Sequence, residues 1–261
     1  MTNQPVSPRH FSVMKKRREK IAMITAYDFV SAEVLKTTGV DIMLVGDSLG
    51  FTTLGYESMA QVTLEDMLHH LKAVKRGAGS AFVLCDMPIN TYRTPSEAVR
   101  NARKLKSAGC HAVKIEGYIP GIVKALVREG IPVMGHIGLT PQTLTKYNVQ
   151  GKTPEEAARI QNGALALQAA GCFALLLELV GAPLAGAVSQ SLTIPTIGIG
   201  SGKECDGQVL VYNDLLGIFN RFKPRFVRHY KELRQEMIDG CSRYICDVKA
   251  KKYPSRAESY L

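Results

Sequence analysis

Short apolar runs and longer amphipathic stretches take turns along this chain. The apolar runs cover residues 21–26, 40–45, 81–85, 111–115, 131–135, 173–177 and 194–199, with a weaker one at 208–211. Runs this continuous suit parallel strands buried on both faces better than strands with one wet face. Between them apolar residues recur at helical spacing. Thr63 with Asp66 forms an N-cap signature, and Thr94-Pro95-Ser96-Glu97 and Thr153-Pro154-Glu155-Glu156 set a cap, a proline and an acid in order. Glycines mark the helix ends at Gly39, Gly77, Gly109, Gly130 and Gly171. A short basic amphipathic helix is expected over 9–20. Eight strands alternating with helices, without a dinucleotide fingerprint, predict an α/β fold of the (βα)8 TIM-barrel type. Gly198-x-Gly200-x-Gly202 has the wrong spacing for that fingerprint, and either anion binding or tight packing would account for it.

A length of 261 residues suits one such barrel, so a single domain over 1–261 is expected, with a C-terminal helical appendix at 221–261. In the appendix Phe226, Val227, Tyr230, Leu233, Met237, Ile238, Cys241, Tyr244, Ile245 and Val248 recur at helical spacing. They predict one amphipathic helix, or two interrupted at Gly240, packed on the barrel or forming an oligomer contact.

Composition narrows the class. No apolar run approaches the length that spans a bilayer, and the first ten residues hold no apolar segment of signal-peptide type. The six cysteines show no CxxC, and Cys85, Cys110 and Cys172 sit in or beside apolar strands, as reduced thiols do. A cytoplasmic location is the expectation. The net charge of +10 is concentrated near the chain ends. Without interleaved aromatic and basic residues it reads as a solvated basic face, secondarily as attraction for a small anionic substrate, rather than as a nucleic-acid surface.

The polar residues at the strand ends carry the candidate chemistry. They are Asp47 with Ser48, Asp86, Glu116, His136 and Glu178, and Lys114 lies two residues before Glu116, pointing the same way. Singly, each has a plain structural reading as a helix cap, an ion-pair partner or a satisfied core histidine. A parallel barrel brings them all to one rim. Asp47, Asp86 and Glu116 are hard oxygen donors with no thiol nearby, which suits Mg²⁺. Open positions on such an ion would suit a 2-oxoacid and stabilise its enolate. Lys114 could neutralise the substrate's charge. Glu178 follows Leu175-Leu176-Leu177, and apolar neighbours that raise a carboxyl pKa would suit a proton abstractor.

Several phrases are familiar in order: Thr25-Ala26-Tyr27-Asp28, Leu44-Val45-Gly46-Asp47-Ser48-Leu49-Gly50, Val113-Lys114-Ile115-Glu116-Gly117, Gly135-His136-Ile137-Gly138-Leu139-Thr140-Pro141-Gln142, Ile197-Gly198-Ile199-Gly200-Ser201-Gly202 and Asp206-Gly207-Gln208-Val209-Leu210-Val211. By these the chain resembles the ketopantoate hydroxymethyltransferase family over most of its length. The resemblance implies a Mg²⁺-dependent barrel that moves a hydroxymethyl group from 5,10-methylenetetrahydrofolate to α-ketoisovalerate, giving ketopantoate for pantothenate synthesis. It implies metal binding by Asp47 and Asp86 with support from Glu116, and substrate binding by Asp47, Ser48, Asp86, Lys114 and His136. Glu178 becomes the base, and a homodecamer the assembly. The segment 143–148 is shorter than the family's usual loop, Ser58-Met59-Ala60-Gln61 lacks a Leu-Pro, and Ala257-Glu258 stands where a Glu-His pair is usual. The short loop bears on turnover and folate contacts more than on the metal site. A related Mg²⁺-dependent 2-oxoacid lyase or aldolase, and a barrel without activity, are the alternative readings.

Overall fold

Eight strands close on themselves in sequence order, each parallel to its neighbours, in a computed structural model that describes residues 7–143 and 148–260. They are β1 (Ile21–Thr25), β2 (Ile42–Val45), β3 (Phe82–Asp86), β4 (Ala112–Glu116), β5 (Val133–Gly138), β6 (Ala174–Glu178), β7 (Thr196–Ile199) and β8 (Gly207–Leu210). The helices that alternate with them are α1 (Pro8–Arg17), α2 (Phe29–Lys36), α3 (Leu49–Thr52), α4 (Leu64–Ala78), α5 (Pro95–Ser107), α6 (Pro120–Arg128), α7 (Pro154–Ala169) and α8 (Ala182–Ser191). The expected (βα)8 barrel is therefore present. The caps act as the sequence indicates: Thr63, Thr94 and Thr153 each accept the backbone N–H three residues on.

One boundary that bears on the site differs from expectation. β5 continues to Gly138 rather than ending at 135, so His136 lies within the strand. Pairing with β6 carries it on, with Gly138 opposite Glu178. The segment after β2 begins with the single helical turn α3.

Alternate residues of the strands face inward. Ile42 and Leu44, Phe82 and Leu84, Ala112, Met134, Ala174 and Leu176, Ile197 and Val209 form one buried cluster with Phe11 and Met14 of α1. The helix α1 thus closes the N-terminal end of the barrel. The Phe11 ring meets Phe82 edge-on, with centroids 5.0 Å apart. Each such buried side chain is worth about 1.5–3 kcal/mol. Lys15 ties the helix down, its Nζ 2.7 Å from Asp206 Oδ2 and 2.7 Å from the Ser189 carbonyl.

The glycine-rich turn after β7 is a packing device. A side chain at Gly202 would come within 2.6 Å of Ala182 Cβ, and Ser201 Oγ donates to the Leu177 carbonyl while accepting the Val180 N–H. Of the six cysteines, all with free thiols, Cys85, Cys110, Cys172 and Cys205 are buried. Burial pushes Cys110 and Cys172 up to about 12, which keeps them unreactive. Among the described residues no helix is long and apolar enough to cross a membrane.

Residues 212–261 form a second compact unit. It holds α9 (Tyr212–Leu215) and α10 (Leu233–Lys249). Of the two expected alternatives, the one helix without a break at Gly240 is present, because α10 runs through it. A single glycine costs a helix only about 1 kcal/mol, too little to stop one this long. Residues 226–230, which matched the helical spacing, stand outside α10, in a turn closed by Val227 N–H on the Pro224 carbonyl. Met237, Ile238, Tyr244, Ile245 and Val248 of α10 are exposed.

Candidate active site

The inward columns of the barrel change from apolar to charged at their C-terminal ends. Two residues beyond Leu84 is Asp86; beyond Ala112 come Lys114 and Glu116; beyond Met134, His136; beyond Leu176, Glu178. The strand period of two places them all over the core on the same rim. Asp86 pairs in register with Lys114, and Glu116 with His136. Asp47 and Ser48 follow β2 after a single residue, Gly46. The predicted residues therefore meet.

Their contacts form a continuous chain. Lys114 Nζ lies 3.3 Å from Asp86 Oδ1, 3.8 Å from Glu116 Oε1 and 3.2 Å from His136 Nδ1. His136 Nδ1 is 3.2 Å from Glu116 Oε1, and its Nε2 is 3.2 Å from Glu178 Oε2, close but poorly aligned for a hydrogen bond. The Asp47 backbone N–H donates to Asp86 Oδ2 at 3.1 Å. Ser48 stands slightly apart, its hydroxyl 2.9 Å from Tyr27 Oη. Glu178 thus faces an imidazole, not the purely apolar setting its sequence neighbours imply.

Asp47, Asp86, Lys114, Glu116 and His136 are all buried. Burial raises the Asp47 carboxyl, and it lifts Asp86 to about 7 against the pull of Lys114. For Lys114 burial works the other way, but Asp86, Glu116, Asp47 and Glu178 together hold its ammonium above the ordinary lysine value. Burial also opposes charge on Glu116, yet His136, Lys114 and the Gln142 N–H keep its carboxyl below the ordinary value. Burial and Lys114 disfavour an imidazolium at His136, and Glu116 and Glu178 outweigh them, raising it to about 9.

A family model described as ketopantoate hydroxymethyltransferase matches residues 5–256. The chain belongs to the ketopantoate hydroxymethyltransferase family. Membership makes it a transferase of one-carbon groups. A relative from Syntrophus aciditrophicus (strain SB), named 3-methyl-2-oxobutanoate hydroxymethyltransferase, is 50% identical over 255 residues, 95% of this chain and 94% of its own. One of the same name from Desulfotalea psychrophila (strain LSv54 / DSM 12343) is 49% identical, over 95% of this chain and 91% of its own. Among solved structures, a phosphonopyruvate hydrolase in complex with oxalate and Mg⁺⁺ shares the fold, with a TM-score of 0.64 at 9% identity, over 97% of this chain and 93% of that one.

The site of this family member includes residues that strand-end reasoning does not reach. Gln142, buried in the turn after β5, donates from Nε2 to Asp47 Oδ2 at 2.6 Å and from its backbone N–H to Glu116 Oε2 at 3.1 Å. Tyr92 Oη donates to Gln142 Oε1 at 2.6 Å. Neither lies in a strand, so no periodic signal marks them. A cavity of about 280 Å³ adjoins Glu116, lined by Asn90, Tyr92, Arg93, Gly117 and Thr140 among others. Residues 144–147, most of the short loop noted in the sequence, lie outside the described residues.

The donor set fits one kind of metal. Among the described residues no three His, Cys, Asp or Glu side chains are arranged to hold an ion by themselves. Asp86 Oδ1, however, is buried without a hydrogen-bond partner among the described residues, beside the equally buried Asp47. Two adjacent carboxylates, one with an oxygen held only by the Lys114 charge, suit a hard divalent cation that fills its remaining positions with water and substrate oxygens. They do not suit a closed zinc site.

Proposed function

We propose that the chain removes the C3 proton of α-ketoisovalerate and joins that carbon to the one-carbon unit of 5,10-methylenetetrahydrofolate, giving ketopantoate. The C3–H bond breaks, a C3–methylene bond forms, water supplies the hydroxyl, and tetrahydrofolate leaves. The observation that carries this reading is the convergence of Asp86, Lys114, Glu116, His136 and Glu178 from four strands into one buried, ion-paired cluster.

Asp47 and Asp86 would hold Mg²⁺, with Glu116 in support. When bound, the ion supplies Lewis acidity toward the keto oxygen, which acidifies the C3 proton. The oxalate and Mg⁺⁺ complex of the fold neighbour concerns that protein, but oxalate has the same paired oxygens as a 2-oxoacid. Lys114 stays charged because carboxylates surround it, and it neutralises the carboxylate of the 2-oxoacid. Ser48, beside Asp47, offers a hydroxyl to the same group. Glu178 takes the C3 proton. His136, 3.2 Å away, is the neighbour that stabilises its charge. The cavity beside Glu116 is the space this reading assigns to the folate donor.

The reading extends to a homodecamer in a reducing cytoplasm. Exposed apolar residues of α10 and the free thiols support those two points.

The test is exchange of the C3 proton of α-ketoisovalerate into deuterated water. Wild type with Mg²⁺ should exchange it, and Glu178→Gln should bind the 2-oxoacid without exchange. No exchange by wild type at saturating Mg²⁺ and substrate would sink the proposal. Exchange retained by the variant would remove Glu178 from the role of base.

A further inference from the structure

Gln142 uses its side-chain amide almost fully. Its two N–H bonds go to Asp47 Oδ2 at 2.6 Å and to the Met87 carbonyl at 3.0 Å, and its carbonyl accepts Tyr92 Oη at 2.6 Å. Through its backbone N–H it also reaches Glu116 Oε2. One residue in a turn after β5 thus joins the ends of β2, β3 and β4. The amide can sit only one way round. Exchanging its oxygen and nitrogen would press an acceptor against Asp47 and against the Met87 carbonyl, neither of which has a proton to give while Asp47 is ionised. Burial keeps the Tyr92 hydroxyl protonated, so it supplies the donor that the amide oxygen accepts in this orientation.

The consequence falls on Asp47. Its Oδ2 is committed to a short, charge-assisted hydrogen bond, which leaves Oδ1 as the oxygen to offer. Asp86 is arranged alike: Oδ2 accepts the Asp47 N–H, and Oδ1 has no hydrogen-bond partner among the described residues, its nearest charge being the Lys114 ammonium at 3.3 Å. Two carboxylates that each present one oxygen leave most positions of an octahedral ion for water and a chelating substrate.

We infer that Gln142, oriented by Tyr92, is a positioning residue that fixes Asp47 as a one-oxygen ligand for the cation. The inference rests on the proposed Mg²⁺ site. A plain alternative is that Gln142 merely anchors its turn to Met87 and Glu116. That role predicts a less stable protein with unchanged ion binding.

The experiment is a double-mutant cycle on the full chain, with Mg²⁺ binding measured by calorimetry and Mn²⁺ binding by electron paramagnetic resonance, both without substrate. Gln142→Met keeps length and removes every side-chain hydrogen bond; Tyr92→Phe keeps the amide and removes its orienting donor. Gln142→Met should weaken ion binding by about 10–100-fold, the usual effect of losing a residue that orients a metal ligand. Tyr92→Phe should weaken it less, and the double variant no more than Gln142→Met, because Tyr92 acts only through Gln142. The Mn²⁺ line shape should change with Kd in both single variants. An ion affinity within about two-fold of wild type in folded Gln142→Met, or strictly additive losses, overturns the inference. Should Gln142→Met fail to fold, unchanged affinity and line shape in Tyr92→Phe overturn it equally. If wild type binds neither ion, the metal reading itself fails; if wild type binds and the variants bind equally well, only the role of Gln142 fails.

Discussion

Lys114→Met removes the one ammonium that the described residues place in a buried cluster of carboxylates, while keeping the length and bulk of the side chain. At 3.3 and 3.8 Å, and with an effective dielectric of about 20, its contacts to Asp86 and Glu116 amount to about 5 and about 4 kcal/mol before desolvation. Burial of the ammonium offsets several kcal/mol of that, and deleting one partner of a buried pair costs about 3–5 kcal/mol net. Domain stabilities are about 5–15 kcal/mol, so the loss is a large share. At about 2–4 °C per kcal/mol for a chain of this size, the melting temperature should fall by roughly 6–20 °C. The pH sign follows from the partners. The folded-state pKa of Lys114 lies above its ordinary 10.5, so its contribution is complete below that value and is lost only as pH rises through the folded one. Wild type therefore keeps Lys114 charged from about pH 6 to about pH 8, with its pairing to Asp86 fullest at the upper end. In the variant Asp86, already at about 7 with the lysine present, can take up a proton instead. The loss should be smaller near pH 6 than near pH 8. The assay is urea unfolding followed by circular dichroism, with a chelator and then with Mg²⁺. The ion should restore more stability to the variant than it adds to wild type, since it becomes the main cation of the cluster. A metal-free loss under about 1 kcal/mol near pH 8 would refute the reasoning, because the carboxylates would then already be neutralised by their own protons.

Three further outcomes are expected. His111 Nδ1 accepts the Val83 N–H at 2.8 Å, and burial, Lys75 and Lys106 hold its pKa below 6.5, so its contribution to stability is present above 6.5 and declines as pH falls through the folded value; His111→Asn, whose amide oxygen accepts at any pH, should flatten that decline in equilibrium unfolding. Gly138 has φ +96° and no room for a Cβ against the Glu178 carbonyl, whereas Gly130, at φ +70° and outside the site, has open space. Backbone strain of about 1–3 kcal/mol should appear in both alanine variants, but only Gly138→Ala should also lower kcat, by displacing Glu178; equal kcat in the two would contradict this. If the proposed homodecamer forms through α10, Ile238→Glu with Ile245→Glu should reduce the assembly mass in light scattering, and a mass equal to wild type would remove α10 from the proposed interface.

Much of the barrel is legible in the chain itself. Buried parallel strands must be apolar on both faces, so each appears as a continuous run, and Thr caps and glycines bracket the helices between them. Because every strand points the same way, a polar residue at a strand's end is also a polar residue at the common rim, which is why Asp47, Asp86, Lys114, Glu116, His136 and Glu178 could be named from sequence. What the tertiary structure alone decided lies in the loops and in partners distant along the chain. Gln142 and Tyr92 are 50 residues apart and meet because the turns after β3 and β5 fold over the same rim. The setting of Glu178 is another case: its sequence neighbours are leucines, but its side chain meets an imidazole from the next strand. Gly240 carries the opposite lesson, since the hydrogen bonds of a long helix outweigh one residue's poor propensity. Strand and helix periods are properties of a segment and can be read from it. A hydrogen bond across the barrel mouth belongs to two segments at once, and only their packing brings it about.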